Sequence, residues 1–322
     1  MSDKLIGVAV SGATTDQVLG RIERSDQAYP RAAWMTTGGA RLDSLTVFAA
    51  AAGRTKEIKL GTSIVPIFPR HLLVMVQQVQ VVAQLAPGRL RLGIGPSHRP
   101  TMRAMGVNFR SPLGHLREYL QILKGLLQQG TVDFSGSYYQ AHETIPEPVD
   151  VPVMASALQR GSFELSGAEA DGAISWICPG KYLKHVAFPA MQSGAEQVGR
   201  PVPPLIAHAP VCVHENAAEV RAAARQQVMN PRMPFYQRML VDAGFPEATE
   251  GTWTGRSTRG RRFNYARRNQ SQHQRYFNYD RRAGGRVDGT RKVRNILQLH
   301  FSPARDVLEQ EGEAHSTEEG WQ

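Results

Sequence analysis

The chain has 322 residues, 41% of them hydrophobic, which is enough for one large barrel or two ordinary domains with a substantial core. No run approaches the roughly 18 apolar residues of a membrane span, and the opening MSDKLIGVAV carries no signal-peptide pattern, so the expected location is the cytoplasm. The net charge of +10 invites nucleic acid as a partner, but twelve Arg and one Lys against two Asp lie between Gly251 and His300 alone. The rest is close to neutral and reads as an ordinary enzyme acting on a small molecule.

Strand-like and helix-like segments alternate as far as about residue 245, the pattern of an α/β protein with a parallel sheet. Leu5 to Val10 is the first strand, followed by a short helix with Thr15 as cap. Arg31 to Thr36 is the second strand, and Leu42 to Ala52 its helix, capped by Asp43. Ile58 to Ile64 is the third. It runs through the loop PIFPRH into an apolar helix, Leu72 to Leu85, and a Pro87-Gly88 turn leads to the fourth strand, Leu90 to Gly95. A crossover of this kind favours parallel strands.

An excursion follows, with one amphipathic helix (Ser111 to Gln129) and a small hairpin (Asp133 to Gln140). Val151 to Ala155, Gly172 to Ile177 and Leu205 to Val213 are strands five to seven. Helices are expected over Gly161 to Ala170, Lys181 to Val198, Asn216 (capping box with Glu219) to about Met229, and Met233 to Ala243.

A closed barrel needs an eighth strand to join the seventh to the first. From Trp253 the text loses all periodicity and almost all aliphatic residues; Ile296, Leu297, Leu299 and Phe301 form the one weak patch, and the end is acidic. Residues 1–252 therefore read as the barrel domain and 253–322 as an atypical tail, with the eighth strand atypical or missing; a tail out of frame would leave the edges of strands one and seven open. Two accounts of the tail stand: a reading frame shifted near codon 253, or a genuine Arg-rich arm over residues 253–294 that binds RNA or another polyanion.

Several residues could carry chemistry. Both central strands end in small residues (Gly61, Thr62, Ser63; Gly93, Gly95, Ser97), which leaves room for a flat ligand against backbone. The turn Ala157-Leu158-Gln159-Arg160-Gly161-Ser162 before a helix suits a phosphate, with an ordinary βα loop as the competing reading. His98, at the mouth of strand four, is a candidate proton donor or substrate-anion ligand, or a plain loop histidine. Gly93-Ile94-Gly95 lacks the rest of a dinucleotide fingerprint. Neither cysteine (Cys178, Cys212) has metal-type spacing, and both read as reduced thiols. No ligand cluster, nucleophile elbow or P-loop stands out.

GTSIVPIFPRH and LAPGRLRLGIGPSH resemble the third- and fourth-strand signatures of the luciferase-like superfamily of (β/α)8 TIM-barrel flavin and deazaflavin enzymes, over roughly Lys4 to Thr252. They look closest to the branch that uses the deazaflavin coenzyme F420, with FMN-dependent monooxygenases as the alternative. The resemblance implies a non-proline cis bond at Ser63-Ile64 against the coenzyme ring, with Gly95 and Ser97 on the neighbouring strand. It implies phosphate contacts at Ala157, Leu158, Gly161 and Ser162 and near Cys178-Pro179-Gly180-Lys181. It places Thr36 at a catalytic or ring-contacting strand end, where its hydroxyl can only hydrogen-bond. Trp34 is core or pocket, Trp176 flanks the ring or packs, and Leu72 stands where relatives carry proline after PRH. Hydride transfer needs little from the protein beyond placement, because the coenzyme carries the chemistry. The substrate, the direction of transfer and a homodimer are left open.

Overall fold

A computed structural model describes residues 6–28, 31–212, 215–218, 220 and 233–250, together with the backbone of 294–301. The Asn216–Met229 helix beyond residue 220 and the tail, apart from that backbone, lie outside the described residues, as do Glu219 and its part in the capping box.

The elements in order are β1 (Ile6–Ala9), α1 (Thr15–Asp26), β2 (Ala32–Met35), α2 (Ser44–Ala52), β3 (Lys59–Thr62), β4 (Val65–Pro66), α3 (Leu72–Leu85), β5 (Leu90–Gly95), α4 (Arg99–Ala104) and α5 (Pro112–Lys124). A π-turn over Gly125–Gln129 leads to the hairpin β6 (Thr131–Ser135) and β7 (Gln140–Thr144). Then come β8 (Val153–Ser156), α6 (Arg160–Glu169), β9 (Ala173–Trp176), α7 (Gly180–Tyr182), a second π-turn (Leu183–Ala187), α8 (Phe188–Gln197), β10 (Leu205–Cys212), α9 (Pro234–Asp242), α10 (Glu247–Glu250) and β11 (Arg294–Phe301).

The sheet runs β3-β2-β1-β11-β10-β9-β8-β5, and β3 also pairs with β5, so eight strands close into a ring. β4 continues β3 after Ser63-Ile64 and pairs with β5 through Val65 and Ile94. Seven ring strands are parallel. The eighth, β11, is antiparallel to both neighbours, pairing Val8 with Leu297 and Ala207 with Leu299. The expected gap is thus occupied by the aliphatic patch at 294–301, and the edges of β1 and β10 are covered rather than open. The atypical character lies in direction: a (β/α)8 barrel has a parallel strand in this place.

Local chemistry accounts for the boundaries. Asp43 caps α2, its carboxylate accepting the amide of Thr46 at 2.9 Å. α1 is capped by Thr14 rather than Thr15, with the Gln17 amide 3.3 Å from Oγ1. α3 spans the expected residues and starts at His71, whose Nδ1 accepts from Leu73 at 3.3 Å. α4 was not expected from the sequence, although Pro100 in its first turn is a start signal.

One apolar cluster fills the space between the sheet and helices α1, α2, α3 and α5, with Phe48, Leu60, Leu92 and Tyr119 fully buried. A second lies under α6, α8 and α9 around Phe163, Met191 and Tyr236. A third, Ala32, Trp34, Met154, Ile174 and Ile206, plugs the barrel interior, with Ile64 packed on it. Glycine makes room for that plug: a Cβ on Gly61 would lie 2.3 Å from the ring of Trp34. Trp34 is therefore core. Among the described residues no helix is long and apolar enough to cross a membrane.

Candidate functional site

Above the plug, at the carboxyl ends of the strands, the structure brings Ser63, Ile64, Gly95 and Ser156 together. Pro66 pairs with Gly95, and the Ile67 amide donates to the Gly95 carbonyl at 3.0 Å. A Cβ on Gly95 would meet Ser156 Oγ at 2.0 Å and Ile64 Cδ1 at 3.4 Å. The Ser63-Ile64 peptide is cis. It is held on both sides: Thr36 Oγ1 donates to the Ser63 carbonyl at 2.7 Å, the Ser63 amide to Met35 at 2.9 Å, and the Thr37 amide to the Ile64 carbonyl at 3.2 Å. Thr36 thus braces the turn, and its proton is committed to that bond.

Two strand ends on this face carry non-glycine residues in left-handed backbone: Ser97 (φ 61) after β5 and Ile177 (φ 51) after β9. The position is unusual for any side chain and most unusual for a β-branched one. Such outliers gather at functional sites.

His98 follows Ser97 and makes no side-chain cap to α4. Its ring stacks on Phe235 of α9, with centroids 5.2 Å apart and planes 15° apart, and Tyr236 lies edge-on at 6.2 Å. Burial under these rings pushes its pKa below the usual histidine value, so the neutral imidazole is favoured. That suits accepting or relaying a proton better than holding an anion by charge.

The Ala157–Ser162 turn enters α6. Ser162 Oγ accepts from the amides of Leu158 and Gln159, both at 3.1 Å, and donates to the Gln159 carbonyl at 2.6 Å. Its hydroxyl is thus spent on the cap rather than turned outward. The amides of Arg160 and Gly161, in the first helical turn, have no carbonyl partner within the helix. The Arg160 side chain pairs with Glu164 at 3.1 Å on the surface. Gln159 Nε2 donates to the Phe235 carbonyl at 2.8 Å, and Tyr182 Oη to the Leu158 carbonyl at 3.0 Å, so α9 and α7 both anchor on this turn. Gly180, at the start of α7, has open space where a side chain would stand.

Trp176 ends β9 with its ring 5.3 Å from that of His208, which also lies 6.3 Å from the ring of Trp34. His208 is 2% exposed, and burial lowers its pKa to about 3. Sequence reasoning passed over it; the signal was a histidine in register with Ile206 on the inward face of a strand. Cys178 is a free thiol that burial pushes up to about 12, and Cys212 is also free. The thiolate that would react or bind metal is therefore disfavoured at Cys178.

Residues 11–292 match the luciferase-like monooxygenase family. An F420-dependent glucose-6-phosphate dehydrogenase of Kineococcus radiotolerans is 31% identical over 194 residues, 58% of this chain and 56% of that protein. A 5,10-methylenetetrahydromethanopterin reductase of Methanolobus tindarius is 26% identical over 196 residues, 60% of each. The chain spans little more than half the length of these curated relatives. Among solved structures, the coenzyme F420-dependent tetrahydromethanopterin reductase from Methanopyrus kandleri superposes with a TM-score of 0.67 at 20% identity, covering 76% of this chain and 77% of that one.

Proposed function

This chain belongs to the luciferase-like monooxygenase family, and within it we propose a deazaflavin (F420)-dependent oxidoreductase acting on a small organic substrate at the carboxyl face of the barrel. The observation that carries the reading is the shelf at one mouth of the barrel where the Ser63-Ile64 turn, braced by Thr36, meets Gly95, with Ser156 packed over the glycine. The F420-dependent relatives favour the deazaflavin over FMN, though a protein of similar fold, the oxygenating constituent of 3,6-diketocamphane monooxygenase, is in complex with FMN.

The residues present fit such a coenzyme. The free first-turn amides of Arg160 and Gly161 can donate to its phosphate at a helix amino end, and the open space at Gly180 lies beside the same turn through Tyr182. Trp176 and the Ser63-Ile64 turn border the place for its ring, with Ser97 at the rim. When bound, the deazaflavin would supply or accept the hydride. The protein's part is placement: Thr36 fixes the shelf, Ala157 and Leu158 carry the phosphate turn, and His98, kept neutral by Phe235, takes or returns a proton on the substrate.

Titrating the full-length chain separately with F420 and FMN, and following coenzyme fluorescence, tests the proposal. Tighter binding of F420 supports it. Tighter FMN binding moves the reading to an FMN-dependent monooxygenase, and binding of neither removes it. The polyanion-binding alternative concerns residues 253–294, which lie outside the described residues apart from the Arg294 backbone.

A further inference from the structure

A cavity of about 270 Å³ opens at the opposite, amino-terminal end of the strands, beneath the Trp34 plug. It takes no part in the site above. Its walls are of two kinds. Trp34, Met154 and Ile206 give a broad apolar surface, and Lys59 and Arg91, from neighbouring strands β3 and β5, stand at its edge. The third charged wall residue, Asp171, is already satisfied: Lys124 Nζ lies 2.7 Å away, Gln128 Nε2 2.7 Å, and the Val153 amide 2.9 Å.

The two cations are not matched in this way. Arg91 directs its guanidinium to the carbonyls of Leu90 (2.9 Å) and Gly88 (3.3 Å). Among the described residues no carboxylate forms an ion pair with it or with Lys59. Burial lowers the pKa of both; the guanidinium lowers that of Lys59 further, while the Asp150 carboxylate acts through space to raise that of Arg91. Two partly buried like charges at one void repel each other, and Asp150 offsets only Arg91, so an anion between them would lower the cost.

We propose that this amino-end cavity is a second binding site, for a carboxylate carried on an apolar body: the carboxylate between Lys59 and Arg91, the body against Trp34, Met154 and Ile206. Arginine is suited to planar carboxylates, and an apolar pocket with few polar groups is the usual form of a small-molecule site.

The carboxylate has two sources. One is a free ligand. The other is the chain's own acidic end: β11 finishes at Phe301, paired with Leu205 at this same end of the barrel, and residues 302–322 include Asp306, Glu309, Glu311 and Glu313.

Calorimetric titration of the full-length chain with benzoate, and with benzyl alcohol as its uncharged counterpart, is the test. Benzoate should bind at least tenfold more tightly than benzyl alcohol, and Lys59→Met and Arg91→Met should each cut that affinity at least tenfold, with circular dichroism unchanged. That result identifies a free carboxylate. If the wild-type chain does not bind benzoate but the full-length D306N/E309Q/E311Q/E313Q variant does, the site is a carboxylate site filled by the chain itself. The proposal is overturned if neither chain binds benzoate, if benzyl alcohol binds as well, or if the Met variants leave affinity unchanged.

Discussion

The ring of His98 lies parallel to that of Phe235, 5.2 Å away, although 137 positions in the sequence separate the two residues. Phe235 is itself tied through its carbonyl to Gln159 at 2.8 Å. The cover over the histidine and the turn that enters α6 are therefore one mechanical unit. Replacing Phe235 by Ala should let water reach the imidazole and raise its pKa toward the ordinary value near 6.5. Titration of the His98 ring by NMR, wild type against variant, reads this directly. An unchanged midpoint would show that Phe235 is not what depresses it.

His208 makes a prediction about stability. Folded, its pKa is about 3; unfolded, it returns to about 6.5. The unfolded chain thus binds a proton that the folded chain refuses. The contribution of the neutral ring is intact above pH 6.5 and drains away as pH falls toward 3, by at most about 1.4 kcal/mol per pH unit. A His208→Gln variant should lose less of its urea midpoint than the wild type between pH 7 and pH 5. Parallel losses would exclude His208 as the titrating group.

Gly93 tests the packing below the shelf. A Cβ there would lie 2.1 Å from the Thr62 carbonyl oxygen and 2.4 Å from Ile174 Cδ1. Backbone cannot swing away as a side-chain tip can, so Gly93→Ala should cost about 1–3 kcal/mol. At Gly95 the obstacle is Ser156 Oγ, a side chain. Gly95→Ala should therefore be partly rescued by Ser156→Gly, whereas no such partner rescues Gly93→Ala. Chemical denaturation of the four variants decides it.

Glu118 gathers the tip of the β6–β7 hairpin: its carboxylate accepts the amides of Ser137 at 2.8 Å, Tyr138 at 2.8 Å and Tyr139 at 2.9 Å. Glu118→Ala should cost about 1–3 kcal/mol and raise amide exchange at these three residues while leaving β5 and β8 protected. Uniform acceleration across the molecule would mean that the hairpin unfolds only with the whole.

Much of the barrel was legible because its periodicity is local. α3 and β5 fall on the residues that the apolar spacing and the Pro87-Gly88 turn indicated. The Ser63-Ile64 bond was legible only through the resemblance, since no composition signals a cis peptide. Three things stayed hidden. α4 is short and mostly polar, so its single buried residue, Met102, leaves no apolar stripe to read. The stacking of Phe235 on His98 depends on how two distant segments meet. The antiparallel course of β11 was invisible because a two-residue period gives the faces of a strand and not its direction.

That course has a consequence for how the molecule can be taken apart. Cys212, where β10 ends, pairs with Arg294, where β11 begins, so the chain departs from and returns to one rim of the ring, as in a hairpin with an outsized loop. The stretch between them, α9 included, is topologically dispensable for joining the strands. Ring formation and the roofing of His98 are therefore separate tasks, and a shortened protein could retain the first after losing the second.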